Sequence, residues 1–251
     1  MKYTNRFDLP QSIFDAIARE TYDLDRSRDN VISVSALIDT PKIRQLKLRH
    51  WNEIEDDISN TIWMLLGSSI HSVLERAKHE DRLIEQRLYQ DIDGFTISGK
   101  VDLYEKEEKI IQDYKVTSTY GFTKGEGYKK EWEQQLNCYA WLYRKAGFEV
   151  NELKIVAILR DWQRRISLTD TRYPNIPLIV VNVPLWSLEK QEKFIRDRLN
   201  NHMLSANLDD GDIPECSEED RWQDRRCKDY CIVKRFCHHY KKIQKENDLL
   251  T

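Results

Sequence analysis

The chain has 251 residues and a formal net charge of −3, long enough to bury a sizeable core and not basic enough for its overall charge to argue for nucleic acid. Hydrophobic residues make up 40% and charged residues 33%, the balance of a folded chain rather than a disordered one. No apolar run approaches the roughly 20 residues that span a bilayer, and the N-terminus (Met1 to Gln11) has no signal-peptide core, so the sequence predicts a cytoplasmic protein with no membrane partner.

Residues 10–20 and 35–50 read as short helices. Across 53–80, Ile54, Ile58, Ile62, Leu65, Leu66, Ile70, Val73 and Leu74 recur at helical spacing. They predict one helix or a broken pair, with Gly67 inside the pattern. The period then changes. Leu83–Gln90 reads as extended, and Asp93-Gly94 is a hairpin turn signal. Phe95–Tyr104 alternates as a strand. Glu105–Glu108 is a charged turn, and Lys109–Val116 is a further strand holding Ile110 and Ile111. Glu131–Ala146 reads as a helix ended by Gly147. Leu153–Arg160 is a strand, Ile176–Val183 another extended stretch, and Leu185–Leu204 an amphipathic helix. This order predicts an α/β fold, a central mixed sheet flanked by helices. It also suggests three regions: a helical 1–60, a core over 61–208, and a cysteine-rich tail over 209–251 packed on that core.

Asp102 lies near the end of one predicted strand, and Asp113 and Lys115 near the end of the next. Alternation puts Asp113 and Lys115 on one face, with Tyr114 on the other. In a hairpin closed at Glu105–Glu108, Asp102 falls opposite or diagonal to Asp113, and cross-strand neighbours are about 5 Å apart. Two carboxylates so close repel unless a cation sits between them. Mg²⁺ and Mn²⁺ take such oxygen ligands and polarise a phosphoryl oxygen. A lysine two residues on can orient a water or meet developing charge. The ordinary alternative is a surface salt bridge. Against it, these charges follow two apolar isoleucines, where unpaired charge is costly.

Four motifs follow one another at compatible spacing over about residues 60–160: Gly67-Ser-Ser-Ile-His71-Ser-Val-Leu-Glu75, Gly99-Lys-Val-Asp102, Asp113-Tyr-Lys115 and Gln135-Leu-Asn-Cys-Tyr139. Together they resemble the RecB-like branch of the PD-(D/E)XK nuclease superfamily, which includes phage and CRISPR-associated exonucleases. The resemblance implies a restriction-endonuclease-like core and a Mg²⁺- or Mn²⁺-dependent deoxyribonuclease. His71 would be a metal ligand beside Asp102 and Asp113, with the backbone carbonyl of Tyr114 completing the set. Lys115 would position or activate the attacking water. Gln135 and Tyr139, one helical turn apart, would touch the DNA backbone or support Lys115. Glu85 would approach the same site.

Cys216, Cys227, Cys231 and Cys237 crowd the C-terminal end, while Cys138 stands alone in a helix and reads as core. Four thiolates hold either zinc or a [4Fe–4S] cluster. The resemblance favours [4Fe–4S], although Cys227 to Cys237 runs C-x₃-C-x₅-C where the family closes with C-x₂-C-x₅-C. The cluster would pin the tail on the core. His238 and His239 read as substitute ligands or as a solvated helix end.

Phosphate contacts would come from local patches: Lys42, Arg44, Lys47 and Arg49; Lys124, Lys129 and Lys130; Arg160, Arg164 and Arg165; and the tail residues Arg221, Arg225, Arg226, Lys228, Lys234 and Arg235. The function expected is a DNA exonuclease working on ends or single strands in recombination, repair or phage DNA processing. Two alternatives stay open: a non-catalytic DNA-binding or assembly module, and a CRISPR adaptation nuclease on the same fold, working with a recombination or CRISPR partner protein.

Overall fold

A computed structural model describes residues 1–18, 30–124 and 127–248. In chain order the strands are β1 (Lys2–Thr4), β2 (Val31–Ser33), β3 (Glu55–Asp57), β4 (Arg82–Ile92), β5 (Phe95–Glu105), β6 (Ile110–Thr117), β7 (Glu152–Leu159) and β8 (Leu178–Val183). The helices are α1 (Gln11–Ala18), α2 (Val34–Ile38), α3 (Pro41–Arg49), α4 (Ile58–Leu74), α5 (Tyr120–Lys124), α6 (Lys130–Lys145), α7 (Arg164–Ser167), α8 (Leu188–Ala206), α9 (Glu218–Arg221) and α10 (His238–Asp248). Among the described residues no helix is long and apolar enough to cross a membrane.

The expected helix over 10–20 is α1; residues 19 and 20, and the Lys124 side chain, lie outside the described residues. The pattern over 53–80 yields one continuous helix, α4, and its first residues form a 3₁₀ turn and β3 instead. β1, β2 and β3 were not legible because three residues hold too few alternations to show a period.

The chain divides into two compact units. One comprises Met1–Asp29, Asp39–Ile62 and Arg196–Thr251. In it β1 pairs in parallel with β3. Asp57 Oδ2 fastens this ribbon by accepting from Thr4 Oγ1 and from Arg6 N, both at 2.8 Å. α3 starts at an N-cap, Thr40, whose hydroxyl accepts from Ile43 N, with Pro41 in the first turn, where a missing N–H costs nothing. Ile43 and Leu46 of α3 bury against Ile54 and Val233, and Cys216, Cys231, Phe236 and Cys237 pack on that cluster.

The other unit comprises Asn30–Ile38 and Trp63–Ile195. It holds a six-stranded mixed sheet in the order β2-β5-β6-β7-β8, with β4 also on β5. β2 with β5 and β6 with β7 are parallel; β4 with β5, β5 with β6, and β7 with β8 are antiparallel. Every residue of α6 from Leu136 to Tyr143 is buried, the mark of a helix covered all round. Its one fully buried amide, Asn137, is matched on every side: its Nδ2 donates to Glu133 O and Pro184 O, and its Oδ1 accepts from Trp186 N and Gln191 Nε2. Ion and ring contacts aside, α6 is thereby held in one rotation about its axis, which fixes where Gln135 and Tyr139 point.

Candidate functional site

The sheet is split at one place. β4 pairs with β5 over almost its whole length, from Arg82↔Glu105 to Ile92↔Phe95. The other edge of β5 is shared: β2 takes Thr96–Ser98 and β6 takes Leu103–Glu105. Gly99, Lys100, Val101 and Asp102 lie between those two partners and, among the described residues, have no strand partner on that edge. The last rung with β6 is Leu103↔Gln112, so Asp102 and Asp113 stand one step past it, where the strands part. Tyr114 N donates instead to Asp102 Oδ2 at 2.7 Å. Beyond that point β6 runs with β7 through Thr117.

A second interruption faces the first. The β4–β5 register passes from Ile84↔Leu103 to Gln86↔Val101 and skips Glu85 opposite Asp102. Glu85 has φ 53°, a left-handed conformation that costs a side-chain-bearing residue on the order of 1–2 kcal/mol, and such strain gathers at functional positions. It brings the carboxylate into a cluster. His71 Nδ1 lies 3.2 Å from Asp102 Oδ1 and 3.5 Å from Glu85 Oε1, and Lys100 Nζ pairs with Glu85. Ligand atoms of His71, Glu85 and Asp102 all lie within 4.8 Å of one another. They line a pocket of about 210 Å³ together with Arg82, Gln112 and Tyr114. Hydrogen bonds to Asp102 and then Glu85 raise His71 to about 10. Burial resists ionisation of Glu85, but His71 and Lys100 outweigh it and hold the carboxyl below its usual value.

Asp113 falls outside that mutual cluster. It is buried, and Lys115 Nζ sits 2.6 Å from its Oδ2. Burial lifts the Asp113 carboxyl to about 6; the Lys115 charge opposes this and the Asp102 charge adds to it. Lys115 Nζ also donates to Gln135 Oε1 at 2.9 Å, and Gln135 Nε2 donates to Tyr139 Oη at 2.9 Å. Tyr139 is buried, and burial, with Asp113 and Asp102 adding, keeps its hydroxyl well above the ordinary range, hence protonated. α6 therefore reaches Lys115 through a relay of side chains. Gln135 touches Lys115 directly, and Tyr139 touches Gln135. α6 packs so closely on β5 that a Cβ at Gly99 would lie 2.9 and 3.0 Å from Tyr139 ring atoms and closer still to Leu142 Cδ1.

The site residues expected from sequence thus sit in two adjoining groups, His71–Glu85–Asp102 and Asp113–Lys115–Gln135–Tyr139, linked by the Tyr114 N–H on Asp102. Lys100 was not given a role. Alternation could not assign one, because the left-handed turn at Glu85 is invisible to a period-2 pattern.

In the other unit, Cys216, Cys227, Cys231 and Cys237 line one small pocket of about 20 Å³ with Ile43, Leu46 and Val233. Thr40 Oγ1 lies 3.3 Å from Cys216 Sγ. Burial raises the Cys216 thiol, lifts Cys227 to about 11 and Cys231 to about 12, with neighbouring thiols pushing the same way. Four half-buried cysteines lining one pocket are a donor set that suits a soft cation. His239 is not a solvated helix end. Its Nε2 lies 2.8 Å from Asp224 Oδ1 and its Nδ1 3.2 Å from Glu215 Oε2. Cys138 is buried core.

Several basic residues are already engaged. Lys42 is buried and donates to the carbonyls of Ile213 at 2.7 Å and Asp210 at 3.1 Å, so it is neither a solvated face nor a phosphate contact. Arg49 pairs with Asp210, Arg221 with Asp224 and Arg226 with Asp39.

A split mixed sheet that gathers acids, a histidine and a lysine at the parting of two strands defines a nuclease-type α/β core. The sequence matches the profile of the PD-(D/E)XK nuclease superfamily over residues 12–238, and the chain belongs to that superfamily. No curated protein is a significant match. Among solved structures, the crystal structure of SSO0001 is similar in fold, with a TM-score of 0.56, 18% identity, and coverage of 92% of this chain and 93% of that one. A phage-related exonuclease from Haemophilus somnus 129PT aligns at a TM-score of 0.40 and 14% identity, over 78% of this chain and 91% of that one.

Proposed function

We propose that this protein is a Mg²⁺- or Mn²⁺-dependent DNA exonuclease of the RecB-like branch, acting on DNA ends or single strands in recombination, repair or phage DNA processing. One observation carries the proposal: the parting of β5 and β6 leaves Asp102 and Asp113 one step beyond the last shared rung, with His71 and Glu85 on one side and Lys115 on the other. The donor set fits a hard divalent ion, being carboxylate oxygens with one imidazole. His71, Asp102, Asp113 and the Tyr114 carbonyl are assigned as its ligands, with Glu85 as a further acid. When bound, the ion supplies Lewis-acid polarisation of a phosphoryl oxygen.

The chain's own residues do the rest. Lys115, steered by Asp113 and Gln135, offers an ammonium that orients the attacking water and meets negative charge on the phosphate. The buried Tyr139 hydroxyl takes up the second half of the Gln135 amide, so the amide holds one orientation. Glu85 and Asp102 keep His71 fixed. Cys216, Cys227, Cys231 and Cys237 are assigned to a [4Fe–4S] cluster, with zinc the alternative occupant of the same thiolates. That role is structural, since binding at such sites contributes to folding itself.

The test is a cleavage assay on end-labelled single- and double-stranded DNA, linear and circular, with Mn²⁺. Linear DNA should be shortened from its ends, EDTA should stop the reaction, and added Mn²⁺ should restore it. Cleavage indifferent to chelator, or confined to circles, would overturn the assignment.

A further inference from the structure

Trp63 lies on α4, upstream of His71, and is 54% exposed. The Arg160 guanidinium stands over its ring, 4.3 Å from the centroid. Among the described residues no carboxylate pairs with that guanidinium, and Arg160 is itself exposed. A large aromatic and an unpaired cation are thus held together in solvent, where neither fills a core.

Both partners are tied to elements that carry the acidic site. Trp63 precedes His71 by eight residues, about 12 Å along a helix. Arg160 follows directly on β7, and its N–H donates to Thr117 O at 3.0 Å; Thr117 lies two residues beyond Lys115 on β6. Arg164 and Arg165 come next and are also exposed. An indole face beside guanidinium groups is the chemistry that single-stranded nucleic acid uses: a base stacks on the ring and phosphate meets the cation.

We propose that Trp63 and Arg160 form an anchoring station for one unpaired nucleotide of the DNA strand, the base stacking on Trp63 and its phosphate meeting Arg160. At roughly 3.4 Å per stacked nucleotide, about 12 Å places the station three or four nucleotides from the scissile phosphate, fewer if the strand is extended. The proposal rests on the DNA-nuclease reading and narrows its substrate to a strand unpaired near the cut. Trp63 and Arg160 are positioning residues.

The experiment is fluorescence anisotropy of labelled oligodeoxythymidine, and of the same strand carrying abasic sites, measured in EDTA so that nothing is cut. Trp63→Ala should weaken binding to the intact strand about tenfold, the size of one lost base stack, and Trp63→Phe should recover most of it. Wild type should lose a similar factor when the abasic site reaches the station, and Trp63→Ala should lose nothing further there. Arg160→Ala should weaken binding and lower the salt dependence by about one phosphate contact. The abasic series on wild type stands even if a variant folds poorly. Wild-type affinity blind to every abasic position, equal losses for Trp63→Ala on intact and abasic strands, or no binding at all would overturn the station. A protein that binds in this pattern but never cleaves would sink the nuclease assignment and leave the station standing; a cleaving protein with an indifferent Trp63 would do the reverse.

Discussion

Gly99→Ala is expected to damage both stability and turnover, although position 99 ligates nothing. The added methyl would sit 2.9 and 3.0 Å from Tyr139 ring carbons and closer to Leu142 Cδ1, inside the roughly 3.5–4.0 Å of an ordinary carbon contact. Leu142 and Tyr139 are both buried, so neither can swing into solvent. Overpacking of this kind costs about 1–3 kcal/mol, offset by the roughly 0.4–1 kcal/mol that losing a glycine takes from the unfolded chain's freedom. A net loss of about 1–2 kcal/mol lowers the thermal midpoint by roughly 2–8 °C for a chain of this size. Tyr139 must also shift, and with it Gln135 and Lys115; displacement near 1 Å can cost about a hundredfold in rate. Thermal melts in EDTA and a Mn²⁺ cleavage assay read the two effects. Leu142→Val in the Gly99→Ala background should return part of the stability, a coupling that distant sites do not show. An unchanged midpoint, or strictly additive losses in the double variant, would refute the packing argument.

Lys115→Ala and Asp113→Ala should each lower cleavage by roughly 10²–10³-fold or more while circular dichroism shows the fold retained; full turnover in either would remove that residue from the chemistry. His71 is raised from 6.5 to about 10 by Asp102 and Glu85. A histidine raised in the fold contributes stability that is complete below about pH 6.5 and lost as pH climbs through about 10. The melting penalty of His71→Gln in chelated protein should therefore shrink between those pH values, and a penalty that grows with pH would contradict the hydrogen bonds. Cys231→Ser should abolish iron content and visible charge-transfer absorbance and lower the thermal midpoint. A colourless wild type loaded with zinc would reassign the four thiolates to zinc.

Long elements were legible because period and turn chemistry agreed. The Asp93-Gly94 turn between β4 and β5, the isoleucines of β6 and the Gly147 that ends α6 all lie where local physics put them. The three-residue strands were not, since their pairing is decided by distant chain. Within the site, Asp113 and Lys115 share a face because alternation demands it. What alternation cannot express is the parting of β5 from β6 and the left-handed Glu85, both of which depend on register across strands. Tyr139 illustrates the same limit: its place on a helix does not show its burial, yet α6 is buried from Leu136 to Tyr143 and Tyr139 with it. Lys42 errs in the opposite direction, a basic residue whose charge is met by two backbone carbonyls inside the molecule.

The most direct measurement is anomalous scattering from a Mn²⁺-soaked crystal. A peak within coordination distance of Asp102, Asp113 and His71 is the predicted result. Manganese bound elsewhere, with those side chains keeping their present partners, would contradict the site.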